Sequence, residues 1–215
     1  AAEMFHLPKN QLTGDDVSKL QSLESELRGA VIGQDHAIAA VVQAIKLSRA
    51  GLANTEKPVG SFLFAGPTGV GKTELSKRLA SALGIELIRF DMSEYAEEYA
   101  VSKLIGSSPG YVGFEQGGLL TEQVIRHPHC VLLLDEMEKA HPKIYDLMLQ
   151  IMDYGAMTDN AGRKADFRNV IVIMTSNVGA KSLSEHAIGF NAQDQTGSRV
   201  DAAIRKHFSP EFRNR

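Results

Sequence analysis

One run of eight residues, Gly66 to Thr73, combines the residue types that bind a nucleoside triphosphate. It reads Gly-Pro-Thr-Gly-Val-Gly-Lys-Thr and fits the pattern G-x-x-x-x-G-K-[ST] at every position. Glycines let backbone N–H groups turn inward around the phosphates, where a Cβ atom would block the approach. Lys72 is expected to reach the β and γ phosphates, and the Thr73 hydroxyl to bind Mg²⁺. The pattern predicts a site for ATP or ADP with Mg²⁺, formed by Gly66, Pro67, Thr68, Gly69, Val70, Gly71, Lys72, Thr73 and Glu74.

An acidic pair, Asp135 and Glu136, directly follows the apolar run Val131 to Leu134. Buried strands that end in an acid are common, so the pair indicates little by itself. Downstream of a phosphate-binding loop, however, it predicts the second half of the same site. Asp135 is expected to hold Mg²⁺ through water, and Glu136 to act as general base on the attacking water. The pair favours hydrolysis of ATP over phosphoryl transfer to a metabolite.

Three more side chains could take part in chemistry or binding. Asn177 follows an apolar strand, where its amide could orient water or touch the γ phosphate, or could cap the strand end. Arg215 could be an arginine finger that stabilises charge in the transition state, or an ordinary surface arginine. Tyr111 lies between Gly110 and Gly113, where it could grip an extended polymer or pack back on the domain. The residues alone leave these alternatives open.

Composition narrows the class of protein. The chain has 215 residues, 43% of them hydrophobic, which suffices for one large α/β domain, and its net charge of −3 disfavours a nucleic-acid binder. Its apolar runs are too short to span a bilayer, and its first residues lack the pattern of a signal peptide. His127 and His129 have no third ligand nearby and indicate no metal site. The single cysteine, Cys130, predicts a buried, reduced thiol in a cytoplasmic protein.

Short apolar strands alternate with helices along the chain. The predicted strands cover residues 61–65, 85–90, 130–134 and 170–175. The first predicted helix begins at residue 13. Further helices are predicted over residues 34–50, 71–83, 119–126, 141–153 and 200–207, and a polar hairpin over residues 154–168. The stretch before the glycine-rich loop Gly106 to Gly118 is less regular. This alternation predicts an α/β fold with a parallel sheet covered by helices on both faces, and ligands at the carboxyl ends of its strands.

Together these segments resemble the AAA+ ATPases of the Clp family. The phosphate-binding loop, Leu132 to Glu136, Thr175 to Asn177 and Phe208 to Arg215 fall in the order and approximate spacing of that family. Val31, Ile32, Gly33 and Gln34 resemble the segment that wraps the adenine. The resemblance extends from about residue 20 to residue 215, and residues 57–65 and 159–169 are most similar to the second ATPase module of ClpA-type members.

The resemblance implies a P-loop AAA+ large domain in a homo-hexameric protein unfoldase and translocase. It implies that Tyr111 and Val112 line the axial pore and contact unfolded protein clients. Asn177 becomes the first sensor, and Arg215, rather than its neighbour Arg213, becomes the finger that reaches the ATP site of the next subunit. Ile188, Gly189 and Phe190 resemble the tripeptide with which unfoldases dock on the ClpP peptidase, and which disaggregases of the family lack. The alternative is that this tripeptide pins its loop to its own domain.

The domain organisation follows from the same resemblance. Residues 1–30 are expected to form a helical lead-in and residues 31–215 the large nucleotide-binding domain. The small helical domain that usually follows is absent, which indicates a fragment of a longer protein. Three other functions remain open: a nucleotide-dependent scaffold, a DNA-acting motor and a disaggregase that works without a peptidase. The acidic pair disfavours the scaffold, and the net charge and the Gly-Tyr-Val-Gly loop disfavour the DNA motor.

Overall fold

The computed structural model describes residues 14–31, 34–107, 110, 117–178 and 201–214, with side chains from residue 22 onward. Its helices are α1 (Gly14–Ala30), α2 (Asp35–Arg49), α3 (Lys72–Leu83), α4 (Glu98–Ile105), α5 (Leu119–Arg126), α6 (Pro142–Tyr154) and α7 (Pro210–Arg213), and residues 201–207 are also helical. Two 3₁₀ turns lie at Met92–Tyr95 and Met137–Lys139. The strands are β1 (Gly60–Ala65), β2 (Glu86–Asp91), β3 (Cys130–Asp135), β4 (Ala156–Thr158), β5 (Lys164–Asp166) and β6 (Ile171–Ser176).

Four of these strands form a parallel sheet in the order β1-β6-β3-β2. In the register, Ala65 lies beside Ser176, and Leu134 lies between Met174 and Phe90, so the carboxyl ends of the strands are level. Parallel neighbours require crossover connections, which the helices supply. The predicted α/β fold is confirmed. The remaining strands, β4 and β5, pair antiparallel and confirm the predicted hairpin.

The central strand β3 shows how the sheet is covered on both faces. All six of its residues are buried. Leu132 and Leu134 pack in a layer with apolar residues of α4, α5 and α6, whereas Val131 and Leu133 pack in a second layer with α1, α2 and α3. A strand buried on both faces must be apolar at successive positions rather than alternate ones. This is why residues 130–134 form a continuous apolar run.

Glycines set both ends of α3, the helix that follows the phosphate-binding loop. Gly71 precedes the helix with φ 93°, and Gly84 ends it with φ 64°, where its N–H donates to the carbonyls of Ala80 and Ser81. Residues with a Cβ atom rarely adopt this left-handed conformation. The observed helix therefore begins one residue after the predicted start and ends at the predicted residue.

One segment differs from its prediction. The stretch before the glycine-rich loop, for which the sequence predicted a less regular region and no helix, contains a 3₁₀ turn and the two-turn helix α4. Ala100, Val101 and Leu104 are buried on one face of α4. A helix of eight residues offers too few apolar repeats to stand out in the sequence. Residue 13, the predicted start of the first helix, lies outside the described residues, while Leu23 and Leu27 on that helix are buried.

Cys130 is buried, which confirms the predicted burial of the single cysteine. Burial, with a smaller effect of the nearby Glu86 carboxylate, raises the pKa of the thiol to about 12. The thiol therefore stays protonated at neutral pH, where it serves as a small apolar residue in the core. Within the described part of the chain, no helix combines the length and the apolar character needed to cross a membrane.

Candidate active site

The chemistry-bearing residues meet at the carboxyl edge of the parallel sheet. The phosphate-binding loop follows β1, Asp135 is the last residue of β3, and Asn177 follows β6. The three strands are neighbours in the sheet, so residues up to 111 positions apart in sequence come together at one edge. This is the edge at which parallel α/β sheets bind ligands.

Lys72 lies over the phosphate-binding loop. Its Nζ donates to the carbonyl oxygens of Gly66 at 2.5 Å and Pro67 at 2.9 Å, and to Oδ1 of Asn177 at 2.9 Å. Burial lowers the pKa of the ammonium, while the charges of nearby carboxylates act in the opposite direction. A partly desolvated cation held by neutral oxygens retains most of its field, which suits binding of a phosphate anion.

Asp135 is fixed on several sides. It is 7% exposed, and its Oδ2 accepts hydrogen bonds from Thr73 Oγ1 at 3.3 Å and Arg89 Nη2 at 2.8 Å. Its Oδ1 accepts from Thr175 Oγ1. A hydroxyl and a carboxylate oxygen thus lie side by side at the start of α3. Hard oxygen ligands of this kind are those that Mg²⁺ prefers, so the residues present fit a magnesium ion.

Glu136 follows in an unusual backbone conformation. Its φ of 58° is the single positive value of a residue other than glycine among the described residues. Its N–H donates to Thr175 Oγ1 at 3.1 Å, its Oε2 pairs with Lys139 Nζ at 2.5 Å, and its Oε1 accepts from Asn177 Nδ2 at 3.4 Å. Backbone strain of this size, held by surrounding contacts, is concentrated at functional sites. The carboxylate is 30% exposed and can therefore be reached by water.

Asn177 connects the two halves of the site. Its Oδ1 accepts from Lys72, and its Nδ2 donates to Glu136. Its backbone N–H donates to Glu138 Oε1 at 3.1 Å. One amide therefore bridges the cation of the phosphate-binding loop and the carboxylate after β3. Its position between Lys72 and Glu136 is compatible with the predicted role of orienting water or contacting the γ phosphate, and that role stays a prediction.

Several contacts of the site could not be read from the sequence. Arg89 and Thr175 both bind Asp135, and Lys139 binds Glu136. Glu138, besides holding the Asn177 backbone, has a buried Oε2 that accepts no hydrogen bond from the described residues. Arg89 lies between the buried Ile88 and Phe90 of β2, so its side chain faces the opposite side of the sheet, but this pattern does not identify its partner. The spacing of Glu136 and Glu138 likewise does not predict which residues each carboxylate contacts.

The predicted adenine segment lies next to the phosphate-binding loop where it is described. Val31 is buried, and its Cγ1 would lie 3.0 Å from a Cβ atom added to Gly71. Gln34 Nε2 donates to the Val70 carbonyl at 3.0 Å. Ile32 lies outside the described residues. Glu74, by contrast, pairs with Arg78 at 2.7 Å along the surface of α3, so its carboxylate is not directed at Lys72 or Asp135 in the described contacts.

Other predicted site residues lie outside the described part of the chain: Tyr111, Val112, Ile188, Gly189, Phe190 and Arg215. Their roles stay predictions. Arg213, the competing candidate for the finger, is described, and its Nε donates to the Phe208 carbonyl at 3.2 Å. That bond ties the guanidinium to its own helical segment.

Comparisons with known proteins identify the family. Residues 57–215 match the model of the AAA domain (Cdc48 subfamily). The chain is 58% identical to a ClpA homolog protein of Fuscovulum blasticum, over 100% of this chain and 27% of the relative. It is 50% identical to chaperone protein ClpB 1 of Thermosynechococcus vestitus, over 97% of this chain and 24% of the relative.

A solved structure agrees with the sequence relatives. Hsp104, in a closed state with ATPγS and FITC-casein, superimposes with a TM-score of 0.85 and 47% identity, over 96% of this chain and 36% of that one. The chain belongs to the AAA ATPases, and its relatives place it among those of the Clp type. It spans about a quarter of the length of the curated relatives that it matches.

Proposed function

We propose that this chain is the large nucleotide-binding domain, residues 31–215, of an ATP-driven protein unfoldase, and that it binds ATP with Mg²⁺ and hydrolyses it. The observation that carries the proposal is the bridge from Lys72 through Asn177 to Glu136, with Thr73 and Asp135 beside it. Phosphoryl transfer to water needs these groups: a cation, oxygen ligands for the metal, a polar amide and a carboxylate base.

Each side chain takes one role in this proposal. Lys72 binds the β and γ phosphates, and Thr73 and Asp135 hold the magnesium ion. Magnesium, when bound there, supplies charge that offsets the negative charge on the phosphate oxygens. Glu136 accepts the proton of the attacking water, and Asn177 orients that water or contacts the γ phosphate. The Glu136 oxygen that Lys139 holds is released or shared during this step, because a base must reach its water within hydrogen-bond distance.

The finer function concerns work on polypeptides. Tyr111 and Val112 would contact an unfolded client in the pore of a homo-hexamer, and Arg215 would reach the ATP site of the neighbouring subunit. The similarity to a ClpA homolog, to ClpB and to an Hsp104 bound to casein supports a protein client over DNA, as does the net charge of −3. We place this activity in the cytoplasm, where a free, buried thiol such as Cys130 stays reduced.

The peptidase partner is a separate part of the proposal. The tripeptide Ile188, Gly189 and Phe190 supports docking on ClpP, because two apolar side chains in a polar segment fit an apolar pocket on a partner. The higher identity to a ClpA homolog than to ClpB agrees with this assignment and with the second ATPase module of ClpA-type members. The second candidate is a disaggregase without a peptidase, which the similarity to ClpB and Hsp104 favours.

Changing Tyr111 to alanine tests the pore assignment. In the full-length assembly that contains this chain, we expect unfolding of a tagged fluorescent protein to slow at least about tenfold, because an aromatic grip is worth about 1–2 kcal/mol. ATP hydrolysis is expected to continue within about twofold. Tyr154, which is 72% exposed on α6, provides the matched control as Tyr154→Ala. Unfolding at the normal rate in Tyr111→Ala would refute the grip.

Changing Phe190 to alanine tests the docking assignment. We expect affinity of the full-length assembly for ClpP to fall about 30-fold, the loss of about 2 kcal/mol typical of a central apolar anchor. The rates of ATP hydrolysis and of unfolding are expected to stay unchanged. Leu52→Ala removes another exposed apolar side chain, 76% accessible, and is expected to leave ClpP binding intact. Equal, measurable affinity of Phe190→Ala and the parent for ClpP would refute docking through this tripeptide, whereas no binding of ClpP by the parent would favour the disaggregase.

A further inference from the structure

A second buried carboxylate lies away from the nucleotide site, in the turn between β4 and β5. The Asp159 side chain is 0% exposed. Its oxygens accept hydrogen bonds from the Gly118 N–H at 3.1 Å, Thr121 Oγ1 at 2.8 Å, the Arg163 N–H at 2.8 Å and Arg163 Nε at 3.0 Å. Burial alone would raise the pKa of this carboxyl, but the four donors outweigh it and lower the pKa to about 2. Asp159 is therefore charged at neutral pH and bound on every side.

The next residue binds the other end of the same glycine-rich loop. The Asn160 N–H donates to the Ile105 carbonyl at 3.0 Å, and its Nδ2 donates to the Gly106 carbonyl at 2.7 Å. Asp159 holds Gly118, where the loop enters α5, and Asn160 holds Gly106, where the loop leaves α4. Two consecutive residues of one turn thus bind both ends of the loop Gly106 to Gly118.

The two ends of this loop also touch one another. A Cβ atom on Gly118 would lie 2.5 Å from the Leu104 carbonyl oxygen, and one on Gly106 would lie 3.2 Å from the backbone of Gly117 and Gly118. The Gly106 φ of 89° is itself a conformation that favours glycine. Glycines are therefore needed where the loop closes, and the Arg163 guanidinium covers Gly117 from outside.

We propose that Asp159 and Asn160 form a clamp that fixes the base of the loop Gly106 to Gly118 and so positions Tyr111 against a polypeptide client. The inference rests on the proposed function of Tyr111. Asp159 and Asn160 touch neither nucleotide nor client and are positioning residues. The clamp joins the two routes from the nucleotide site: the hairpin that leads into β6 and Asn177, and the helix α5 that leads into β3 and Asp135. A force that ATP hydrolysis produces at the sheet edge can reach Tyr111 only if the loop is held at its base.

The test compares Asp159→Asn and Asn160→Ala in the full-length assembly. Asparagine keeps the size of Asp159 but loses the charge and turns one acceptor into a donor among donors. We expect both variants to unfold a tagged fluorescent protein about tenfold more slowly, with basal ATP hydrolysis and its KM within about twofold of the parent. The matched control is Asp166→Asn, which removes a carboxylate of the same hairpin that is 45% exposed and paired with Arg168; it is expected to unfold the client normally.

Two further readouts separate positioning from general damage. The double variant is expected to be no slower than the slower single variant, because either change opens the same loop base. Amide exchange at Gly118 is expected to rise in Asp159→Asn, while exchange at Leu75, which bonds to the Gly71 carbonyl, stays unchanged. Loss of ATP hydrolysis in proportion to loss of unfolding would overturn the clamp. Asn160→Ala leaves the hydrogen bonds to the buried Asp159 carboxylate intact. It therefore tests the clamp even if Asp159→Asn fails to fold.

The result with Tyr111→Ala separates the two proposals. If Tyr111→Ala unfolds the client normally, the pore function of Tyr111 is refuted, and with it the role of the clamp in positioning Tyr111. If it stops unfolding while both clamp variants unfold normally, the pore function stands and the clamp is overturned. If all three variants uncouple hydrolysis from unfolding, both proposals are supported.

Discussion

Replacing Glu136 by glutamine is expected to lower the turnover of ATP by about a thousandfold while nucleotide still binds. A positioned general base contributes about 10² to 10⁴ to a rate, and the amide cannot accept the proton of the attacking water. Glutamine keeps the length of the side chain and an oxygen that can accept from Asn177 Nδ2. The loss is therefore expected in kcat, because the side chain contributes to the transition state more than to binding of ATP.

The measurement is single-turnover hydrolysis in the full-length assembly, with the dissociation constant for ATP determined in parallel by calorimetry. Glu98→Gln is the matched control, because Glu98 also pairs with a lysine, Lys143, and is an exposed residue of α4. Its turnover is expected to equal that of the parent. Undiminished hydrolysis in Glu136→Gln would remove the base from the proposal and favour a nucleotide-dependent scaffold.

The sequence predicted those parts of this site in which a residue type at a given spacing has essentially one chemical use. The spacing of glycines, Lys72 and Thr73 has few other uses, and an acidic pair after a buried strand gains its meaning from that loop. The main strands and most helices also agree with their predictions within one or two residues. Glycines and capping residues mark the ends of these elements, such as Gly84 after α3 and His141 before α6. Because such residues act within their own segment, a short stretch of sequence is enough to predict them.

The contacts that the sequence did not predict depend on register between distant segments. Arg89 reaches Asp135 because β2 pairs with β3 in a register that sets Asp91 beside Asp135, and no local pattern fixes that register. Thr175 reaches Asp135 across two neighbouring strands in the same way. Asp159 is a stronger case, because a turn rich in polar residues is typical of a solvated hairpin. Its burial follows only from the packing of α5 against β5, which is a tertiary event.

Replacing Lys72 by methionine is expected to weaken binding of ATP by at least about a hundredfold. Methionine keeps an unbranched stem but removes the charge, and hydrogen bonds from a charged donor to phosphate are worth about 1.5–3 kcal/mol each. Calorimetric titration of the chain with ATP and Mg²⁺ measures the change. Lys77→Met, an exposed lysine on the same helix α3, is the matched control and is expected to bind ATP normally.

Stability distinguishes this loss of binding from a loss of fold. The Lys72 ammonium is partly buried, which lowers its pKa and opposes its charged form, whereas its contacts with Gly66, Pro67 and Asn177 stabilise it. Because these effects oppose one another, we expect Lys72→Met to change the free energy of unfolding by less than about 1 kcal/mol in the absence of nucleotide. The parent is expected to gain stability on addition of ATP and the variant to gain almost none, because a ligand stabilises a fold only as far as it binds. Equal stabilisation of both chains by ATP would contradict the assignment of Lys72 to the phosphates.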